Sequence, residues 1–216
     1  MMKKLLFAVP LILAAASASA LTITANSSTG VFSVANNDLI EGLVPTIFDD
    51  IGDQEGLGTN TSATALTNGT FGPAGLTDSG PNPELTIIDS GVRLTYNLLS
   101  AVNITDINVY SGWRDEGRVN QSFEILYTTS TSSVFQSLTS VSQNFVGNGV
   151  PSSLEVLISD VGLFDVTGIQ FYFEDTQNNY VGYKEIDVIG SVPEPASLAL
   201  LGLGLVGLGW SRRKQA

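Results

Sequence analysis

From Val92 to Ile189 the sequence alternates. Val92, Leu94, Tyr96 and Leu98 stand two apart, Ile107 and Val109 keep the step, and Phe123, Ile125 and Tyr127 resume it beyond a stretch of turn formers. Apolar residues two apart share one face of an extended strand, whereas a helix needs spacings of three and four. The runs Phe135–Val141, Leu154–Ile158, Ile169–Phe173 and Tyr183–Ile189 add further strands, for seven or more in all. In the last of them Tyr183, Glu185, Asp187 and Ile189 take one face, and Lys184, Ile186 and Val188 the other. No helical periodicity of adequate length interrupts these runs. The expected fold class is all-β, a jelly-roll-like antiparallel β-sandwich of two packed sheets.

Residues 21–91 are less regular. Val31–Val34, Leu43–Asp50 and Leu85–Ile88 read as additional strands, but residues 52–83 are dense in Gly, Pro, Asn, Ser and Thr and offer little to bury. A long segment of this kind is usually functional, mobile or locked by something such as an ion. It contains Asp53, Glu55, Asn68, Thr70 and Asp78.

Both ends of the chain are apolar and basic. The start, MMKKLLFAVPLILAAASASA, places Lys3 and Lys4 before an apolar core and closes on Ala18-Ser19-Ala20, the pattern of a secretory signal peptide over residues 1–20. The end, SVPEPASLALLGLGLVGLGWSRRKQA, occupies residues 191–216. Its uncharged run 196–210 would reach roughly 23 Å as a helix, against roughly 30 Å of bilayer hydrocarbon, so it is a marginal transmembrane helix. Arg212, Arg213 and Lys214 in the basic end 211–216 would hold the C-terminus in the cytoplasm with the preceding domain outside.

Between those ends, residues 21–190 carry 20 Asp and Glu against only Arg93, Arg114, Arg118 and Lys184, a formal charge of −16. That balance excludes sequence-independent binding of nucleic acid, which is driven by Lys and Arg on phosphates. It permits divalent cations, neutral glycans or basic surfaces. The chain has no Cys, so an exported domain must hold together by burial alone, which about 170 residues can achieve.

The terminal segment resembles a PEP-CTERM sorting signal: the motif Pro193-Glu194-Pro195, the hydrophobic helix 196–210, then Arg212-Arg213-Lys214. The resemblance implies export by a Gram-negative bacterium that makes exopolysaccharide. It also implies signal peptidase at one end and an inner-membrane exosortase at the other. The chain would pass through an inner-membrane-anchored intermediate to the cell surface, outer envelope or extracellular matrix.

A second resemblance lies within residues 21–190. The stretch VYSGWRDEGRVNQSFEILY, from Val109 to Tyr127, is similar to a strand, loop and strand of discoidin-like, galactose-binding-like domains, and Ile169–Phe173 and Val181–Gly190 resemble their last two strands. The disulfide that joins the two ends in many relatives is absent. What the resemblance implies is a non-catalytic, carbohydrate-binding module whose partners are exopolysaccharide or other glycans. It also implies a structural Ca²⁺ between an early loop and a Glu of the last strand, here Asn68 and Thr70 with Glu185. An amide oxygen, a hydroxyl and a carboxylate suit a hard cation, although Asn68 stands where Asp is usual and brings no charge.

In the loop SGWRDEGRVN, Trp113 can offer a stacking face to a sugar ring, with Arg114, Asp115, Glu116 and Arg118 bonding hydroxyls. Equally, Trp113 can cap the core while Arg118 pairs with Asp115 or Glu124. Tyr180, in the turn DTQNNYVG, is a further aromatic candidate. With no His and no Cys, Ser-His-Asp and Cys-His hydrolysis are excluded. Paired carboxylates remain as a route to a polysaccharide-acting enzyme. A purely structural surface or matrix protein without specific ligand is the other alternative.

Overall fold

A computed structural model describes residues 20–49, 63–72, 85–147, 149–175 and 177–193. Residues 1–19 of the expected signal peptide, the expected hydrophobic helix 196–210 and the basic end lie outside the described residues. So do Glu194 and Pro195. Among the described residues no helix is long and apolar enough to cross a membrane.

Nine strands form one continuous antiparallel sheet that curls over on itself: β1 (Thr22–Ser28), β2 (Thr46–Asp49), β3 (Thr86–Ile88), β4 (Val92–Trp113), β5 (Gln121–Thr129), β6 (Ser132–Gln143), β7 (Ser152–Ser159), β8 (Leu163–Phe173) and β9 (Val181–Ser191). The 22-residue β4 joins the two layers. Its first half pairs with β2 and β8, and its second half with β7 and β9. One layer therefore reads β1-β7-β4-β9-β3 and the other β2-β4-β8-β5-β6. The corner falls where the β4 register shifts repeatedly, between Asn97 and Asp106. Such irregularities are how a strand bends without losing its pairing.

This architecture agrees with a jelly-roll-like sandwich, and the alternating positions face its core. Leu94, Tyr96, Val109, Phe123, Ile125, Val156, Ile169 and Phe171 are all fully buried. Rings of Tyr96, Phe171, Phe123, Phe173 and Tyr183 meet in sequence at centroid distances of 4.7–6.3 Å, the edge-on range that aromatic pairs favour.

Two expectations are corrected. Val31–Val34 is a loop, not a strand; its Phe32 and Val34 pack on Phe71 and Tyr110 against the outer side of the β4–β9 layer. On β9, Tyr183 does not share a face with Glu185. The β4 register steps from Tyr110↔Glu185 to Ser111↔Tyr183, so Lys184 is a bulge. The bulge turns Tyr183 into the core with Ile186 and Val188, and leaves Glu185 and Asp187 on the outer side with Tyr110.

The body has two ends. The described parts of the loops, 114–120, 144–147, 149–151, 174–175 and 177–180, meet at one. At the other lie the β4 corner, the β5–β6 turn, the β7–β8 turn and the end of β9.

Candidate functional site

The outer face of β9 carries the largest concentration of buried charge. Glu185 and Asp187 are fully buried there, and Asp38 approaches from the segment that runs beside the end of β9. One carboxylate oxygen from each of the three lies within 4.8 Å of the others. Asp38 accepts from the backbone N–H of Val188 at 2.7 Å and of Ile40 at 3.0 Å. Asp187 accepts from the N–H of Ala35 at 2.7 Å and from the Tyr110 hydroxyl at 3.2 Å. Glu185 accepts from the N–H of Gly69 at 3.1 Å.

Each carboxylate thus has one oxygen engaged, and Asp38 Oδ2, Glu185 Oε2 and Asp187 Oδ1 are buried with no hydrogen-bond partner. Burial is the main force on all three and favours the protonated form. It pushes Glu185 up to about 8 and Asp38 up to about 7, and it raises Asp187. Mutual repulsion adds to the rise, and the backbone N–H bonds oppose it. Carboxylate oxygens in this number form a donor set for a hard cation, of the kind that takes six to eight oxygens.

The early loop does reach Glu185, but through backbone. Asn68 turns its Oδ1 onto the N–H and hydroxyl of Thr70, each at 2.9 Å, and both side chains are exposed. Asp38 and Asp187 are the acidic partners that the sequence reading left out. Asp187 had a signal, two residues from Glu185 on the same face of a strand. Asp38 had none, because about 150 residues separate it from β9.

At the loop end, Trp113 is only 8 % exposed. Its ring lies so close over Gly182 that a Cβ there would sit 2.7 Å from it, and the Arg118 guanidinium lies 5.1 Å from the ring centroid. Of the two roles open to Trp113, this position favours capping the core. Arg118 does not brace the turn by an ion pair with Asp115 or Glu124 among the described residues. It stands between aromatic rings, 5.9 Å from that of the half-buried Tyr180, and its buried Nε has no hydrogen-bond partner. Arg114 and Asp115 form an exposed ion pair at 4.0 Å, while Asp115 also accepts from the N–H of Gly117.

The two loops are locked together. Gln177 donates to the carbonyl of Glu116 and accepts from the N–H of Val119 and of Asn120, and Asn178 donates to the carbonyl of Gly117. Asn178 and Asn179 adopt left-handed backbone, φ 53° and 75°, which Asn tolerates better than most residues. Beside this clamp opens a cleft of about 360 Å³ lined by Asn120, Gln121, Ser122, Ser142, Asn144, Asp175 and Gln177. Amides and hydroxyls dominate it, with Asp175 as its one carboxylate. Glycoside hydrolysis uses a pair of carboxylates, and the lining of this cleft holds one.

A protein-family profile described as the PEP-CTERM protein-sorting motif matches residues 191–214. The chain carries a PEP-CTERM sorting motif. The motif marks it for export and for exosortase processing by way of a membrane-anchored intermediate. No curated protein matches the chain. Solved structures similar to it in fold include the lectin domain of lectinolysin complexed with Lewis B antigen, at 15% identity and TM-score 0.47, over 74% of this chain and all of that one. A chitosan-binding module from a Paenibacillus sp. IK-5 chitosanase/glucanase aligns at 12% identity and TM-score 0.45, over 71% of this chain and 99% of its own. The family 32 CBM of C. perfringens NanJ, in complex with galactose, aligns at 12% and 0.42, over 77% and 92%. Where the sorting motif begins, at Ser191, the last strand ends.

Proposed function

We propose that residues 21–190 form a non-catalytic, glycan-binding module, exported by a Gram-negative bacterium and sorted by exosortase to the cell surface or extracellular matrix. The observation that carries the sorting part is the match to the motif at 191–214, directly after the final strand. Signal peptidase removes residues 1–20, and Pro193, Glu194, Pro195, Arg212, Arg213 and Lys214 are the elements recognised at the other end.

The ligand reading rests on the polar cleft. Its amides and hydroxyls match the alternating donors and acceptors of a sugar ring, and Arg118 and Tyr180 belong to the two loops that Gln177 of the cleft ties together. Trp113 and the Arg114–Asp115 pair support that loop from behind and from its rim. Retention on polysaccharide gels tests the site. Asn144→Ala and Asp175→Asn, both outside the core, are expected to abolish retention of a folded domain. Unchanged retention rejects this cleft, and a wild-type domain that binds no glycan on an array leaves the purely structural alternative.

The acidic cluster has a separate role in this reading, as the seat of a structural Ca²⁺. Asp38, Glu185 and Asp187 supply the charge and the ligand oxygens, while the Gly69 N–H of the loop that Asn68 and Thr70 shape holds Glu185 in place. Three orphaned oxygens on three adjacent carboxylates are the support for it.

A further inference from the structure

We propose that the end of the sandwich from which the sorting tail departs is a membrane-contacting surface, with Leu99 and Phe164 entering the lipid interface while the tail is uncut. Single exposed apolar residues are ordinary on any protein. These two are distinguished by place, since Val146 at 80% and Val44 and Val134 at 71% are more exposed than Phe164. Leu99 is 94% exposed and Phe164 69%, and Val192, just past the end of β9, is 56% exposed. Leu99 lies in the irregular corner of β4, between Asn97 and Val102. Ile104, just past that corner, pairs with Leu163 on one side and Gly190 on the other, so Phe164 and the outgoing chain at Ser191 flank the same point. Two strand spacings, roughly 10 Å, separate them.

The tether is short. From Ser191 to Ala196, where the apolar run begins, there are five residue steps, which span at most roughly 18 Å. If the run enters a bilayer, as the sorting reading on which this inference rests requires, the tether holds the corner of the sandwich within contact distance of the bilayer surface.

The chemistry of this end specifies the lipid contact. The basic residues of the domain, Arg93, Arg114, Arg118 and Lys184, lie on the opposite end or near the middle of β9. The tail end instead exposes Asp160 and Asp165. Attraction to anionic headgroups is therefore excluded, and the contact is apolar and shallow, with the two carboxylates held in the hydrated headgroup layer. The loop end, with its cleft, then points away from the membrane, roughly 30 Å out along the strands.

Because the chain has no Cys, single fluorescent labels can be placed at Leu99→Cys, Phe164→Cys and, at the far end, Asn144→Cys. The full chain is reconstituted into phosphatidylcholine vesicles containing a lipid quencher. Strong quenching at 99 and 164 with none at 144, unchanged by added salt, is the expected result. A chain that stays with the vesicles through an alkaline wash yet shows equal quenching at all three positions overturns the inference and leaves the sorting reading standing. A chain that washes off overturns both. Hydrogen exchange of the unsubstituted chain supplies a second measurement. Residues 98–102 and 163–165 should exchange more slowly in vesicles than after removal of the tail, and no difference counts against the contact.

Discussion

Burial governs the behaviour of Glu185 and Asp187, and it makes the cluster a liability without a cation. A carboxylate whose pKa is higher folded than unfolded binds more protons in the native state, so stability falls as pH rises between the two values. For Asp38 and Glu185 that window opens at the ordinary values of 3.8 and 4.5 and closes near 7 and 8. In chelator, the melting temperature should therefore decline from pH 5 to pH 9. Ca²⁺ binds the deprotonated oxygens, so its effect should grow over the same range. At a hundredfold excess over Kd the gain would be roughly 5–10 °C in Tm. Asp187→Asn removes one charge while its amide oxygen can still accept from Ala35 and Tyr110. The variant should be more stable than wild type in chelator at pH 8 and should lose most of the response to Ca²⁺. Identical melting curves with Ca²⁺ and chelator at pH 8 would reject the cation site.

At the scale of elements, the strands that the alternation predicts from residue 92 onward are present, and in all but the edge strand β6, where only Val141 is buried, one face lies on a shared core and the period of two records it. β1 had no such record. Its positions are exposed or half-exposed along the edge of the sheet, so TITANSS is held by pairing with β7 and not by a buried face. The continuity of β4 was equally hidden, since a strand that turns a corner swaps its buried face on the way. The Lys184 bulge did the same to β9 and made the reading of Tyr183 fail. Gln121 is a polar link between layers. From the start of β5 its amide nitrogen, fully buried, is shared among the carbonyls of Val109 and Leu154 and the hydroxyl of Ser111, at 2.9–3.1 Å. An apolar residue would leave those acceptors short of a donor inside the core. Gln121→Leu is expected to cost about 2 kcal/mol, read as a lower urea midpoint with an unchanged slope. A midpoint equal to wild type would mean that the link is dispensable.

For the whole molecule, legibility divides along the same physical line. The sorting motif at the C-terminal end was readable because local composition alone defines it, whereas the cleft and the acidic cluster are assembled from segments far apart in sequence. Asn120 and Asn144 meet Asp175 and Gln177 only because β5, β6 and β8 lie side by side. The architecture also fixes a polarity: the chain leaves at one end of the sandwich and the polar cleft opens at the other. Combined with the proposed retention of the basic C-terminus in the cytoplasm, that polarity predicts what each side of the inner membrane can reach in the uncut precursor. A bulky, membrane-impermeant maleimide added to spheroplasts should modify Asn144→Cys at once and Gln215→Cys only after lysis. On the proposed sorting reading Arg212, Arg213 and Lys214 set this orientation, so their joint replacement by Gln should raise labelling at 215 in intact spheroplasts. Labelling of 144 only after lysis would place the domain on the cytoplasmic side, where neither exosortase sorting nor an exported glycan ligand has any meaning for it.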